Sequence, residues 1–129
     1  MFKTVLFPVD RSREARQAAE MVSKLMLASG GQLYLLSVVA EDEEAMSSPE
    51  LVAQILEEAR GMFLDQGIAT EAIERAGKPA FTICDVADEV NADLIVMGSR
   101  GLGLTDGNAQ DSVTARVISL SPCPVLVVP

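Results

Sequence analysis

The residues best suited to chemistry lie in one run, Gly98-Ser99-Arg100-Gly101-Leu102-Gly103-Leu104-Thr105-Asp106-Gly107-Asn108-Ala109-Gln110-Asp111-Ser112. Glycine at 98 and 101 removes side chains, so main-chain N–H groups can come close to a ligand. Amides that lead into a helix bind anions, phosphate above all, and Ser112 adds a hydroxyl donor at the helix start. A glycine-rich stretch of this length inside a short chain is uncommon and is usually functional. The same residues serve equally as turn formers and a helix cap, and the pattern alone does not separate the two readings.

Other candidates are fewer. Asp10 closes the first apolar run and is either a ligand contact or the cap of the turn that follows. Arg11 and Arg100 can present guanidinium forks to a phosphate, or they can pair with Asp111. There is no histidine, which removes the commonest general base, the Ser-His and Cys-His nucleophile arrangements and the commonest transition-metal ligand. Glu41-Asp42-Glu43-Glu44 reads as a solvated acidic loop rather than a metal site. Cys84 and Cys123 form no CxxC and have no evident neighbouring base, so both read as reduced, packed thiols of a cytoplasmic protein.

The elements that must position these groups alternate. Thr4 to Val9 is a short run of β formers. Ser12 is a plausible N-cap, followed by Ala15, Ala18, Ala19, Val22, Leu25 and Met26 on one helical face, with Gly30-Gly31 as its stop. Gln32 to Ala40 is a second buried strand. Ser48-Pro49-Glu50 opens a second helix, with Leu51, Ile55, Ala59, Met62 and Phe63 at helical spacing up to Gly67. Ala69 to Ala76 alternates weakly and suits a sheet edge. Gly77-Lys78-Pro79 turns into a third helix, with Ile83, Val86, Ala87 and Val90 facing inward and Asp85, Asp88 and Glu89 outward. Leu94 to Met97 is strongly apolar. Ser112 to Leu120 forms a fourth helix with Val113, Val117 and Leu120 inward, and Val125 to Val128 is the last strand. Strict alternation implies right-handed crossovers and a parallel sheet covered on both faces. The expected fold is α/β with three layers, α/β/α, in one domain over residues 1–129. In such sheets ligands sit at the carboxyl ends of the strands.

Composition narrows the partners. The chain has 129 residues, is 49% hydrophobic and has no tryptophan, so aliphatic residues must build the core. A formal charge of −9 repels nucleic-acid phosphates and anionic lipid, so neither nucleic acid nor a membrane is expected as a partner. No apolar stretch reaches transmembrane length, and the opening residues, closed at once by Pro8 and Asp10, do not read as a signal peptide.

The opening Val5-Leu6-Phe7-Pro8-Val9-Asp10, the run Met97-Gly98-Ser99-Arg100-Gly101 and the closing Pro122-Cys123-Pro124-Val125-Leu126-Val127-Val128 together resemble the universal stress protein family, over nearly the whole chain. The resemblance implies a five-stranded parallel sheet of order 3-2-1-4-5, an adenine nucleotide alpha hydrolase-like, half-Rossmann fold. It also implies an adenine nucleotide, ATP or AMP, with magnesium only where ATP binds. Asp10, with Pro8 and Val9 before it, would meet the adenine or ribose, and Val38 would line the base pocket. Gly98, Arg100, Gly101, Ser112 and Val113 would border the phosphates. The family pattern places a third glycine where this chain has Asp111. A carboxylate ~4 Å from a distal phosphate costs roughly 1–4 kcal/mol, which favours AMP or ADP over ATP. Members dimerise through the last strand, so a homodimer through Val125–Val128 is expected, with a further protein partner unidentified. A regulatory nucleotide-binding module, an interaction protein that binds no nucleotide and a slow ATP hydrolase all remain open, with no catalytic residue assigned.

Overall fold

The computed structural model describes residues 2–9, 13–39, 48–98 and 113–129, with side chains of the first helix from Arg16 onward. Nine elements alternate as expected. They are β1 (Thr4–Pro8), α1 (Arg13–Ser29), β2 (Gln32–Val39), α2 (Pro49–Asp65), β3 (Ala69–Ala76), α3 (Pro79–Glu89), β4 (Leu94–Gly98), α4 (Val113–Leu120) and β5 (Val125–Val128). The strands make one sheet of order β3-β2-β1-β4-β5, every pairing parallel. The order in the sheet agrees with the one the family resemblance implies. Val9, expected within the first strand, lies just past it, yet its N–H still donates to Leu36 O at 2.8 Å.

The α2 start and the α1 end have clear local causes. Ser48 caps α2 by accepting from the Leu51 N–H at 3.4 Å, and Pro49 follows where its missing N–H has no role. Gly30 ends α1 with φ at 63°, a conformation that glycine adopts without penalty, and its N–H reaches back to Met26 O at 2.9 Å. Gly31 follows because a Cβ there would stand 2.6 Å from Lys3 O.

The sheet separates two cores. Val5, Phe7 and Val9 of the β1 strand and its extension point to one face, among Ala18, Val22 and Met26 of α1 and Leu56 and Phe63 of α2. Leu6, Ile95 and Met97 point to the other, among Ile83, Val86 and Ala87 of α3 and Val113 and Val117 of α4. These inward positions of α1, α3 and α4 follow the sequence periodicity. Two helices differ from it in part. In α2 the fully buried row is Val52, Leu56 and Phe63, whereas Leu51, Ile55 and Ala59 are half-buried and Met62 is 42% exposed. Both rows are apolar, and the sheet beneath selects between them. Leu120, expected inward, is 48% exposed; it ends α4 beside the edge of the sheet, and Thr114 takes an inward place instead, only 2% exposed.

Candidate functional site

The topology brings the carboxyl ends of β1 and β4 side by side, since these two strands pair directly. From there the chain leaves to opposite faces: α1 packs in the core around Phe7 and α4 in the core around Met97. This is the switch point at which α/β sheets bind ligands, because neighbouring connections part and leave a recess bordered by helix N-termini.

Five of the expected site residues are described, and all five are buried at that edge. Pro8 ends β1 opposite Leu36 of β2, and Val9 is 6% exposed. Val38, near the end of β2, is 7% exposed, and Val113, first residue of α4, is 9% exposed. Val38 and Val113 belong to the same core cluster, along with Met97. Gly98 ends β4. Val9 packs on the opposite face of the sheet from Val38 and Val113, so these residues flank the edge from both sides. Asp10, Arg100, Gly101 and Ser112, together with Arg11 and Asp111, lie outside the described residues.

Two hydroxyls that sequence reasoning passed over hold this edge. Thr114 Oγ1 donates to the Gly98 carbonyl at 3.2 Å, tying the first turn of α4 to the last residue of β4. Both ends of the glycine-rich segment are thereby fixed relative to each other. Ser37, wholly buried, directs its Oγ toward Val9 O at 3.4 Å, which anchors the chain just before Asp10 to β2. A polar residue within an apolar strand or on an apolar helical face was the available signal, since a buried hydroxyl requires a partner. Further along the edge the Gly77 N–H donates to Val39 O at 3.2 Å, closing β2 against the turn into α3.

The remaining reactive groups stand away from the edge. Cys84 and Cys123 are free, partly exposed thiols at the margin of the α3/α4 core. Burial raises both above the ordinary thiol value, with Asp85 adding to the effect at Cys84, and a hydrogen bond to Ser121 opposing it at Cys123. Asp85, Asp88 and Glu89 are exposed as expected, and Glu89 pairs with Arg75 at 3.3 Å. Among the described residues no helix is long and apolar enough to cross a membrane.

Comparison with known proteins gives this edge a context. The sequence profile of the universal stress protein family matches residues 1–129. Universal stress protein Sll1654 of Synechocystis is 65% identical over 136 aligned residues, covering 100% of this chain and 87% of that protein. Among solved structures, a universal stress protein in complex with cAMP superposes with a TM-score of 0.80 at 26% identity, covering 99% of this chain and 97% of the other. A universal stress protein family protein from Arabidopsis thaliana with AMP bound gives 0.74 at 25% identity, covering 98% and 90%. The sheet order and helix placement are those of the adenine nucleotide alpha hydrolase-like fold these proteins share. By profile, by full-length identity and by fold, the chain belongs to the universal stress protein family.

Proposed function

We propose that this chain is a non-catalytic cytoplasmic regulatory module that binds an adenine nucleotide at the carboxyl edge of its sheet and works as a homodimer. The observation that carries the reading is the switch point itself: β1 and β4 adjacent, α1 and α4 diverging to opposite faces, and Val9, Val38, Gly98 and Val113 gathered around it. Bound cAMP and AMP in two relatives of this fold support the choice of ligand. In this chain Asp10 would meet the adenosine, Val38 would lie against the base, and Gly98, Gly101 and Ser112 would offer donors to the phosphate, with Arg100 beside them. Asp111 orders the ligands by charge: AMP and ADP bind more tightly than ATP, and magnesium matters only for ATP.

Isothermal titration with AMP, ADP and ATP, with and without magnesium, tests this. The expected order is AMP and ADP ahead of ATP, with Asp111→Gly raising ATP affinity about tenfold. Absence of binding by all three would favour a second reading, an interaction protein without nucleotide, for which Asp111 is the specific argument. Steady phosphate release from ATP would instead favour a hydrolase.

The dimer is supported by the β5 side of the sheet. Among the described residues β5 has a neighbour only in β4, and Leu126 on it is 38% exposed, with Ile118 of nearby α4 at 54%. An uncovered apolar edge strand calls for a partner, and a two-fold axis supplies one from a second copy. Val127→Pro should give monomer or insoluble protein, and a stable Val127→Pro dimer by light scattering would refute the assignment.

A further inference from the structure

The two faces of the sheet are covered differently. α3 and α4 pack against each other, whereas α1 lies over β4 and β5 and α2 over β2 and β3. Two helices, each about 10 Å across, on five strands about 4.8 Å apart, leave a cleft when they stand over opposite halves. The cleft between α1 and α2 has a volume of about 920 Å³, within the range of ligand-binding cavities. Phe7, Val9 and Phe63 lie beneath it, the two rings meeting edge to face at 6.3 Å, and all three are almost wholly buried. Its walls are Ala19, Ser23 and Leu27 of α1 and Leu51, Ile55, Ala59 and Met62 of α2. Leu27 is 60% exposed and Met62 42%, so the far end of the cleft presents apolar surface to water.

The shape is linear. From Arg16 to Leu27 the α1 wall rises about 17 Å, the reach of an extended alkyl chain of about a dozen carbons. Among the described residues four charges line the cleft. Arg16 stands at the end nearest Val9 and makes no ion pair among the described residues. Glu20 and Glu58 flank the middle, and Lys24 approaches the far end, where its methylenes can lie along a chain while its ammonium stays in water. The acidic pair leaves the middle unsuited to a head group, and Arg16 is the cation placed to receive one.

We propose that the α1/α2 cleft binds a medium-chain fatty carboxylate, its head group on Arg16 and its alkyl chain running between Ala19 and the Ile55 and Ala59 wall to Leu27 and Met62. The site lies on the face of the α1/α2 layer and goes beyond the nucleotide reading. Bound chain covers Leu27 and Met62, and apolar burial supplies most of the affinity while the Arg16 contact selects carboxylate.

The probe is 11-(dansylamino)undecanoate, displaced by dodecanoate, on the intact protein. The expected result is a fluorescence rise saturating at one probe per chain with micromolar affinity. Ala59→Trp, which fills the cleft, should weaken dodecanoate at least tenfold with an unchanged circular dichroism spectrum. Leu27→Glu, at an exposed position that tolerates the change, should weaken it severalfold and keeps the test decisive where Ala59→Trp folds poorly. Arg16→Gln should weaken dodecanoate about threefold to fivefold and leave dodecanol unaffected. No fluorescence rise, or dodecanoate affinity untouched by both cleft variants, overturns the proposal. So does self-association through this face, seen as a mass that Ala59→Trp lowers without any dodecanoate binding. AMP titration of the same variants is expected to be unchanged, which separates failure here from failure of the nucleotide site.

Discussion

The two ends of the sheet are built from different materials. At the amino end the connections are short and laced together: Gly30-Gly31 joins α1 to β2, and Val90 to Asp93 joins α3 to β4. Asp93 Oδ2 accepts from the Lys3 and Thr4 N–H groups at 2.9 and 3.0 Å, its own N–H donates to Thr4 O at 2.7 Å, and the Gln32 N–H donates to Lys3 O at 2.8 Å. At the carboxyl end two of the connections are long, residues 40–48 and 99–112, and the described anchors include two side-chain hydroxyls, Ser37 and Thr114, beside the backbone bonds of Val9 to Leu36 and Gly77 to Val39. Backbone groups at the amino end pair with one another and with the Asp93 carboxylate. On the proposed function, recognition belongs to the carboxyl end, whose strand and helix termini the Ser37 and Thr114 hydroxyls help to hold. Stability would then be concentrated at one end and recognition at the other.

Substitutions at the two ends should therefore separate stability from binding. The largest effect is expected from Gly31→Val, where a side chain would meet the Lys3 and Phe2 carbonyls; overpacking against backbone costs about 3 kcal/mol, read as a lower urea midpoint, with AMP affinity kept while the protein is folded. Thr114→Val follows. Loss of its bond leaves the buried Gly98 carbonyl short of a partner and costs about 1–2 kcal/mol. It should also weaken AMP severalfold, because the glycine-rich segment loses its anchor. If Thr114→Val lowers stability and leaves AMP affinity intact, the division between the ends is wrong. Asp93→Ala should cost about 1 kcal/mol, at an exposed site, with no change in nucleotide titrations.

The smallest effect belongs to neither end. Burial raises the Cys84 and Cys123 thiols above the ordinary thiol value, so the folded chain holds those protons more tightly than the unfolded chain. Their contribution is complete below that value and is lost as pH rises through the higher folded values. A slight fall in melting temperature above pH 9, absent from a Cys84→Ser, Cys123→Ser variant, checks it.

Much of this was legible in the sequence. Runs such as Leu94 to Met97 have one stable environment, a strand covered on both faces, and Gly30-Gly31 and Ser48-Pro49 mark helix ends by their own backbone chemistry. The strand order came with the family motifs, since periodicity does not rank strands. The inward side of α2 was legible only at Phe63, because Leu51, Ile55 and Ala59 form as good an apolar row as Val52 and Leu56; the sheet beneath decides, and the row left over becomes a cleft wall. Thr114 and Ser37 were missed because their partners, Gly98 and Val9, become neighbours only through the fold. Asp10, Arg100, Gly101, Asp111 and Ser112 lie outside the described residues and rest on the sequence and the family resemblance.

Nuclear magnetic resonance of ¹⁵N-labelled protein titrated with AMP addresses the central claim most directly. Amide shifts should gather at Val9, Val38, Gly98, Val113 and Thr114, with Lys3, Gly31, Asp93 and Ser121 unmoved. Shifts centred on the latter four, or none at saturating AMP, would contradict a nucleotide site at the carboxyl edge.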